Sequence, residues 1–360
     1  MLEARLHACI RDAGGWLPFD DFMAEALYAP GLGYYSRGGM LGTGVGDSSD
    51  FVTAPELSPL FGRALARQVA QALRATRTET VIEFGAGSGA LAAQLLGALR
   101  DEHGLQPSYV IVEVSAALRA EQVKRLSPFA GSVRWWDALP DRLEGVIVGN
   151  EVLDAMPVKL LHWDGTQWLE RGVVSSVDGS AFHWADRPSA LRPPFDHAGW
   201  VPGTVTEIHP QAKAWIGSLG ERLARGAGFL IDYGFGDAEY YHPQRVGGTL
   251  MCHRHHRADT DPLVSVGQKD ITAHVNFTAM ALALQDCGLE ILGYTTQAHF
   301  LINCGLLNDL ERASAQARVA AQRLFLEHEM GELFKVLAFA DPSHAFEPMG
   351  FSNGDRSHRL

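Results

Sequence analysis

The chain has 360 residues, of which 46% are hydrophobic and 20% charged, and 42 Asp and Glu residues against 30 Lys and Arg residues give a net charge of −12. These values predict a globular protein with a substantial core and argue against a nucleic-acid binder, which needs clustered Lys and Arg. Four cysteines without C-x-x-C spacing favour a reduced compartment. Without a leader-like start or the ~20 apolar residues of a membrane span, we expect a cytoplasmic protein that does not insert into membranes.

Residues 1–78 predict a lid region followed by a docking helix. The segment 30–35 (PGLGYY) and the Gly- and Ser-rich stretch 37–50 lack periodicity, and a loop of this length favours a functional lid over a passive connector. Ser58 and Pro59 then provide an N-cap and a first-turn proline for a helix with apolar residues at helical spacing. We expect this helix to dock onto a sheet.

The stretch 80–91 (TVIEFGAGSGAL) predicts a buried strand, a glycine turn and the start of a helix. Gly85, Gly87 and Gly89 allow the backbone to reverse tightly and to approach a ligand closely, and the helix would point its free N–H groups over the turn. The pattern fits both the dinucleotide fingerprint G-x-G-x-x-A and the E-x-G-x-G-x-G loop of S-adenosylmethionine enzymes. A tight turn without a ligand is the less favoured alternative.

Strands and helices alternate from residue 79 onward, which predicts a parallel sheet covered on both faces. We expect strands at 81–84, 109–112, 133–136, 145–148, 229–231, 289–295 and 334–339. Residues 79–157 and 206–340 would be the two halves of this core, the second with helical insertions and a helix from Asp270 to Gly288. Turns at Asp164-Gly165 and Asp178-Gly179 predict an antiparallel hairpin insertion over 158–205, and 341–360 would be a loose tail.

Polar residues follow successive strands, where an open α/β sheet binds its ligands. They are Glu113, Asp137, Asn150 with Glu151, and Asp232. Glu113 suits both hydroxyls of a ribose, since an ionised carboxylate accepts through two oxygens; a helix-capping acid is the alternative. Asp137 could accept from an adenine amino group. Glu83, inside the first strand, would orient the glycine loop or reach a ligand ammonium, and its burial requires a partner.

The position of the glycine loop helps to choose the cofactor. A dinucleotide enzyme places a pyrophosphate on the helix N-terminus and usually keeps that strand near its own N-terminus, whereas nearly eighty residues precede it here. S-adenosylmethionine has no phosphate, and methyl transfer depends mainly on positioning, which suits a site without an evident nucleophile. The sequence therefore favours S-adenosylmethionine over NAD.

Several motifs accompany the glycine loop: 149–158 (GNEVLDAMPV), 50–56 (DFVTAPE), 270–277 (DITAHVNF), 33–35 (GYY) and 330–336 (MGELFKV). Together they resemble the MidA-like family, which comprises the mitochondrial complex I assembly methyltransferase and its bacterial relatives. The likeness covers nearly the whole chain. One departure is Asn276, where the family pattern favours Asp, so that activity on arginine is affected if the acceptor needs that acid.

The resemblance implies a class I methyltransferase fold, which is Rossmann-like, with a mostly parallel seven-stranded sheet and helices on both faces. It also implies S-adenosyl-L-methionine as cofactor and a protein substrate, because mitochondrial members methylate an arginine on a core subunit of respiratory complex I. The residues expected to contact the cofactor are Tyr34, Thr53, Glu83, Gly85, Gly87, Gly89, Glu113, Val114, Asp137, Ala138 and Asn150.

Methylation of arginine needs acids, because a guanidinium has five donors and must be aimed with one nitrogen at the methyl group. Glu151 and Asp154 follow the fourth strand and share a face if the segment turns helically, so we expect them to hold the guanidinium; helix capping is the alternative for Asp154. His274, predicted on a helix, is the third catalytic candidate, although a lone histidine is more often structural.

The sequence is also compatible with two other functions. One is a non-catalytic assembly factor that keeps a remnant cofactor site, and the other is an NAD-dependent oxidoreductase. The segment 251–257 (MCHRHHR) lacks the ligand spacing of a tetrahedral metal site, so no metal is expected.

Overall fold

The computed structural model describes residues 1–36, 52–194, 199–254 and 257–360. The lid predicted at 37–50 lies outside these residues. The strands in the described ranges are Leu17–Pro18 (β1), Thr80–Phe84 (β2), Ser108–Val112 (β3), Val133–Trp136 (β4), Leu143–Asn150 (β5), Lys159–Trp163 (β6), Trp168–Ser175 (β7), Phe182–Pro188 (β8), Val205–Ile208 (β9), Leu223–Phe235 (β10), Met251–Arg254 (β11), Arg257–Asp259 (β12), Asp270–Thr272 (β13), Val275–Asn276 (β14), Glu290–Thr296 (β15) and Phe334–Ala340 (β16). The α-helices are Leu2–Asp12 (α1), Phe19–Tyr28 (α2), Ala54–Leu57 (α3), Pro59–Thr76 (α4), Ala90–His103 (α5), Ala116–Arg125 (α6), Pro210–Arg222 (α7), Asp237–Tyr240 (α8), Phe277–Asp286 (α9), Gln297–Asn303 (α10), Leu306–Arg312 (α11) and Ala315–Phe325 (α12).

A central sheet runs in the order β15-β16-β10-β5-β2-β3-β4, with the short strand β14 beside the end of β10. The strands β10, β5, β2, β3 and β4 are parallel to one another, and β16 is antiparallel to both of its neighbours. This arrangement confirms the predicted α/β fold with a mostly parallel sheet of seven main strands. The strand order reverses between β2 and β5, which is where an open sheet of this kind leaves a crevice at its carboxyl edge.

Helices cover both faces of the central sheet. On one face, α4 and α5 bury apolar side chains such as Leu65 and Leu95; on the other, α7 and α9 bury Ile216 and Met280. The start of α4 is the predicted one, because the Ser58 hydroxyl accepts the N–H of Leu60 at 3.3 Å. The sheet is therefore buried on its two faces, and its carboxyl edge is left for a ligand.

An antiparallel sheet in the order β1-β7-β6-β9, with β8 beside β7, lies outside the central sheet. The two predicted turns join its strands β6, β7 and β8. Residues 1–36, which we predicted as part of the lid region, contain α1, β1 and α2, and the two helices pack on this sheet through Leu6 and Phe22. The apolar residues of these short helices do recur at helical spacing, but the flanking Gly and aromatic residues obscured the pattern.

The helix predicted from Asp270 to Gly288 begins only at Phe277 and ends at Asp286, so its predicted start and the helical placement of His274 are wrong. Residues 270–272 form β13 instead. The helix cap is Asn276, whose Oδ1 accepts the N–H of Ala279 at 3.0 Å. The Asn276 amide also donates to Asp237 at 2.7 Å, which an aspartate in that position could not do.

The prediction of a loose tail after residue 340 is also wrong. Phe351 is buried against the core, and the N–H of Gly350 donates to Gln68 at 2.8 Å. The Arg356 guanidinium donates to the Glu332 carboxylate at 2.5 Å. A tail without periodicity can thus be ordered by a few specific contacts, which sequence periodicity does not report.

Candidate active site

The glycine loop after β2 has the conformation that its sequence requires. Gly85, Gly87 and Gly89 have φ angles of 62°, 52° and 81°, in the left-handed region that glycine adopts without strain. A Cβ atom on Gly85 would lie 3.2 Å from Cγ2 of Val152. The space of a side chain is therefore already taken at this position, and the backbone itself lies against the cavity.

A cavity of about 360 Å³ opens over this loop, beside the carboxyl ends of β2, β3 and β5. Nine of the predicted site residues line it: Thr53, Glu83, Gly85, Gly87, Glu113, Val114, Asn150, Glu151 and Asp154. Further lining residues that we did not predict as site residues include Tyr28, Tyr35, Glu56, Ser88, Leu139 and Trp215. The structure thus brings the predicted cofactor and guanidinium residues into one cavity.

Five predicted site residues are not among those that line the cavity: Tyr34, Gly89, Asp137, Ala138 and His274. Tyr34 is buried with its ring edge-on to Tyr35, which takes the lining position. The Asp137 side chain is 86% exposed and accepts from Arg119 at 2.6 Å. Gly89 is the residue before α5 and faces Gln122 of α6, so it serves helix packing. The sequence alone does not show which of two adjacent residues, such as Tyr34 and Tyr35, faces the cavity.

Glu113 is held in place by α6. Its carboxylate accepts the Ser115 N–H at 2.8 Å and the Gln122 amide at 3.1 Å, and these bonds oppose the rise in the pKa of Glu113 that burial causes. The Gln122 amide also donates to the carbonyl oxygen of Gly87 at 2.8 Å. Gln122 therefore connects the glycine loop to Glu113, and nothing in the sequence pattern singled it out.

Glu83 and Glu56 support the loop from two sides. The Tyr109 hydroxyl donates to buried Glu83 at 2.6 Å, which is the partner that burial requires, and burial raises the pKa of Glu83 to about 7. On the other side the Arg125 guanidinium donates to Glu56 and to Ser88, both at 2.8 Å. This ion pair ties α3 and α6 to the glycine loop.

The chain turns sharply after β5, and Asp232 holds the turn. Its Oδ2 accepts three backbone N–H groups, from residues 152, 153 and 154, at 3.1, 2.9 and 3.3 Å. Glu151 has a φ of 55°, a left-handed conformation that costs free energy in a residue other than glycine and clusters at functional sites. Glu151 and Asp154 therefore share the cavity through this turn and not through a helix.

The two acids that follow β5 each have one side-chain hydrogen-bond donor among the described residues. Glu151 accepts from the Asn150 amide at 3.0 Å, and Asp154 Oδ2 accepts from the Tyr233 hydroxyl at 2.5 Å. Asp154 Oδ1 and Asn150 Oδ1 are buried without a partner among the described residues. Burial, followed by the charge of Asp154, raises the pKa of Glu151 to about 8, and burial raises that of Asp154 to about 6.

His274 lies between β13 and β14, behind this end of the cavity. Its ring is edge-on to Tyr233, with centroids 5.1 Å apart, and stacks on Phe235. Burial and the charges of Arg245 and Lys335 lower the pKa of His274 to about 4. The ring is therefore neutral at physiological pH and touches the tyrosine that donates to Asp154.

The histidine-rich segment is only partly described, because His255 and His256 lie outside the described residues. Elsewhere in the described chain no three His, Cys, Asp or Glu side chains are grouped as metal ligands would be. None of the described helices is both long and apolar enough to cross a membrane.

The cavity residues fit S-adenosylmethionine. The glycine backbone allows close approach, and an unpaired Asn150 oxygen suits an ammonium group. Glu113 has lone pairs left after its two bonds, which suits hydroxyl groups. These features need no phosphate and leave the acids after β5 for a second molecule.

Two solved structures of Burkholderia thailandensis proteins are similar to the whole chain. One is bound to S-adenosyl-homocysteine; it is 49% identical with a TM-score of 0.93, over 100% of this chain and 96% of that one. A native structure is 49% identical with a TM-score of 0.91 and the same coverage. These similarities confirm the fold.

Curated relatives carry a more specific name. The Caenorhabditis elegans protein arginine methyltransferase NDUFAF7 homolog is 27% identical over 92% of this chain and 86% of its own length. The human protein arginine methyltransferase NDUFAF7 is 26% identical over 79% and 69%. Both are named as mitochondrial proteins, which contradicts our prediction of a cytoplasmic location.

Residues 64–295 match a family described as S-adenosyl-L-methionine-dependent methyltransferases. The match spans more than half of the chain and includes the glycine loop, the turn after β5 and Asn276. It decides the choice of cofactor in favour of S-adenosylmethionine over NAD. The chain therefore belongs to this family of S-adenosylmethionine-dependent methyltransferases.

Proposed function

We propose that the protein transfers a methyl group to an arginine side chain of a protein. The observation that carries the proposal is the pair of buried carboxylates, Glu151 and Asp154, which line the cavity at the turn after β5. Among the described lining residues there is no Lys or Arg to neutralise them. Buried carboxylates without a cation are costly, and a guanidinium brings both the charge and the missing donors.

In this proposal the glycine-loop end holds the cofactor. The backbones of Gly85 and Gly87 approach its methionine part, Asn150 Oδ1 accepts from the ammonium, and Glu113 accepts from the ribose hydroxyls. When bound, the cofactor supplies a methyl group on a positively charged sulfur. Residues of this loop and Glu151 line the same cavity, so the methyl group can face the acids.

Glu151 and Asp154 orient the guanidinium with one nitrogen towards the methyl group. In the transfer that nitrogen forms a bond to the methyl carbon, the carbon–sulfur bond breaks, and the nitrogen loses one proton. We assign the proton to Asp154 Oδ1, which is buried and has no hydrogen-bond partner among the described residues. Most of the rate acceleration comes from holding the two molecules in line.

Two tyrosines form the wall near the acids. The Tyr28 hydroxyl donates to the carbonyl oxygen of Ala155 at 2.9 Å, and the Tyr35 hydroxyl donates to Asp270 at 2.8 Å. Their rings stack with centroids 5.6 Å apart. Fixed rings of this kind exclude water from the arginine side chain and strengthen its attraction to the acids.

The names of the curated relatives support arginine as the acceptor. A subunit of respiratory complex I is the substrate that the family resemblance implies, so we include it in the proposal. The departure at Asn276 does not weaken it, since that side chain caps α9 and contacts Asp237.

The experiment is methyl transfer from labelled S-adenosylmethionine to arginine peptides and to a complex I preparation, with the modified residue located by mass spectrometry. We expect labelled arginine with the wild type and none with Asp154→Asn. Glu207→Gln is the matched control, because Glu207 is another buried carboxylate but lies outside the cavity. Binding of S-adenosyl-homocysteine without any labelled arginine would favour the non-catalytic assembly factor.

A further inference from the structure

Three basic side chains surround the ring of Phe235. The Arg245 guanidinium lies 4.5 Å from the ring centroid and the Lys335 ammonium lies 5.6 Å from it. The His274 ring is stacked on the same side chain, with centroids 5.2 Å apart. The three come from the loop after α8, from β16 and from the segment before β14. We call Arg245, Lys335 and His274 the basic cluster.

No carboxylate neutralises the basic cluster within the described residues. Arg245 Nε and His274 Nδ1 are buried and have no hydrogen-bond partner there. Lys335 donates only to backbone carbonyl oxygens, of Glu332 and of Leu333. The Glu332 carboxylate pairs with Arg356 instead, and it acts on Lys335, as Glu239 does, only through space.

The charges of Arg245 and Lys335 disfavour protonation of His274, whose ring is neutral at physiological pH. Burial lowers the pKa of Lys335 to about 8, and the pKa of His274 falls because of burial and then because of Arg245 and Lys335. The contacts of Lys335 with backbone carbonyl oxygens are explained by a structural role of its side chain, which joins residues 332–335. This role does not explain Arg245, whose buried Nε has no hydrogen-bond partner among the described residues although the chain carries a net charge of −12.

The basic cluster adjoins the acidic end of the cavity. The Tyr233 ring lies 5.1 Å from His274, centroid to centroid, and its hydroxyl donates to Asp154 at 2.5 Å. Tyr233 therefore contacts Asp154 through its hydroxyl group and the basic cluster through its ring. An extended peptide advances about 3.3 Å per residue, so residues one to three positions apart can reach both sides.

We propose that the basic cluster binds a carboxylate of the substrate, the side chain of an Asp or Glu within about three residues of the methylated arginine. The proposal rests on the proposed function for the position of that arginine. Arginine binds carboxylates through paired hydrogen bonds, and the buried Nε of Arg245 has no partner among the described residues. A phosphate group has the same chemistry and is tested as a separate arm.

The test uses four series of labelled peptides bound to the complex of the protein with S-adenosyl-homocysteine. Each peptide carries either arginine or neutral citrulline at the target position, and either Glu or Gln placed one, two or three residues to either side. At one of these placements we expect the Glu peptide to bind about tenfold more tightly than the Gln peptide. Equal binding of Glu and Gln peptides at every placement would overturn the proposal.

The design separates this proposal from the proposed function. If arginine and citrulline peptides bind equally, the guanidinium pocket fails, whereas a remaining preference for Glu would still support the basic cluster. Inorganic phosphate is added as a competitor. A site that binds phosphate but does not distinguish Glu from Gln takes phosphate, and the carboxylate assignment is then wrong.

Arg245→Gln should abolish the preference for Glu, and Arg245→Lys, which keeps the charge but loses the paired donors, should retain part of it. Arg187→Gln is the matched control, since Arg187 also lies over an aromatic ring, that of Trp16 at 4.7 Å, but belongs to β8. Thermal unfolding checks that each variant is folded. An unchanged preference in Arg245→Gln would contradict the assignment.

Discussion

The buried acids of the cavity form two groups with different hydrogen-bond partners. We call Glu83 and Glu113 the glycine-loop end, and Glu151 and Asp154 the acidic end. At the glycine-loop end, Glu83 accepts from Tyr109, and Glu113 accepts from Ser115 and Gln122. At the other end, Glu151 accepts from a neighbouring amide, and one oxygen of Asp154 has no partner in the described residues. All four acids thus accept from neutral donors, but among them only Asp154 has a buried oxygen without a partner in the described residues.

This difference indicates what each end binds. A carboxylate that is already oriented by neutral donors is suited to add hydroxyl groups of a neutral sugar. A pair of buried acids with an unpartnered oxygen, in which the charge of Asp154 raises the pKa of Glu151, is suited to a cation, which supplies charge and donors together. The strained turn at Glu151, held by Asp232, shows that the fold maintains the second arrangement at some cost in stability.

The largest expected effect is at the acidic end. Asp154→Asn removes the proposed proton acceptor and one charge that holds the guanidinium, so we expect kcat/KM for an arginine peptide to fall about 10³-fold. Affinity for S-adenosyl-homocysteine should change less than about threefold, because the residue lies beyond the glycine loop. Steady-state kinetics and calorimetry measure the two quantities. A loss of cofactor affinity with retained kcat would reverse our assignment of the two ends.

The second largest effect is expected at the glycine-loop end, on affinity for the cofactor. Gly85→Ala introduces a Cβ at 3.2 Å from Val152 and at a φ of 62°, so we expect affinity for S-adenosyl-homocysteine to fall by about tenfold or more. Gly97→Ala is the control, because Gly97 lies inside α5 with no atom within 4 Å of the added Cβ. That change should leave affinity unchanged and stabilise the fold by about 0.5–1 kcal/mol. Equal effects of the two variants would contradict a ligand role for the loop.

The sequence predicted the parts of this molecule that depend on local pattern. The glycine loop, the central strands and the Ser58 cap all follow from residues that are close in sequence, and each is present. The acids after β5 were found because strand ends converge in a parallel sheet. In these features, the type of residue and its near neighbours in the sequence are enough to predict its place in the fold.

The parts that could not be predicted depend on contacts between distant segments. Gln122 and Tyr233 matter because α6 and β10 bring them to Glu113 and Asp154, and no spacing in the sequence reports such contacts. The choice between Tyr34 and Tyr35 depends on the exact direction of a turn. The tail after residue 340 is ordered by hydrogen bonds to α4 and not by an apolar period.

The pH dependence of binding distinguishes the two ends further. The pKa values of Glu151 and Asp154, about 8 and about 6, lie above their ordinary values, so the empty pocket binds protons that a guanidinium must displace. Affinity for an arginine peptide should therefore rise from pH 6 to pH 8, by at most about tenfold per unit for each group. Calorimetry in two buffers of different ionisation enthalpy should detect the released protons.

A citrulline peptide is the control for this dependence, since a neutral side chain does not favour the ionised acids.

The same raised pKa values mean that the free folded protein binds more protons than the unfolded chain, so they lower the free energy of unfolding as the pH rises from about 4 to about 8. Glu151→Gln should remove part of this loss. An arginine peptide whose affinity is independent of pH would show that the acids do not meet the guanidinium.

The smallest expected effect concerns the donor that satisfies the glycine-loop end. Gln122→Met keeps the volume of the side chain but removes the donor to Glu113 and to the Gly87 carbonyl, which leaves both less well oriented. We expect affinity for S-adenosyl-homocysteine to fall about fivefold, as for the loss of about one hydrogen bond, while KM for the arginine peptide is unchanged. Tyr233→Phe, which removes the donor to Asp154, should show the converse. If both variants changed the same parameter, the two ends would act as one site and the contrast between them would be wrong.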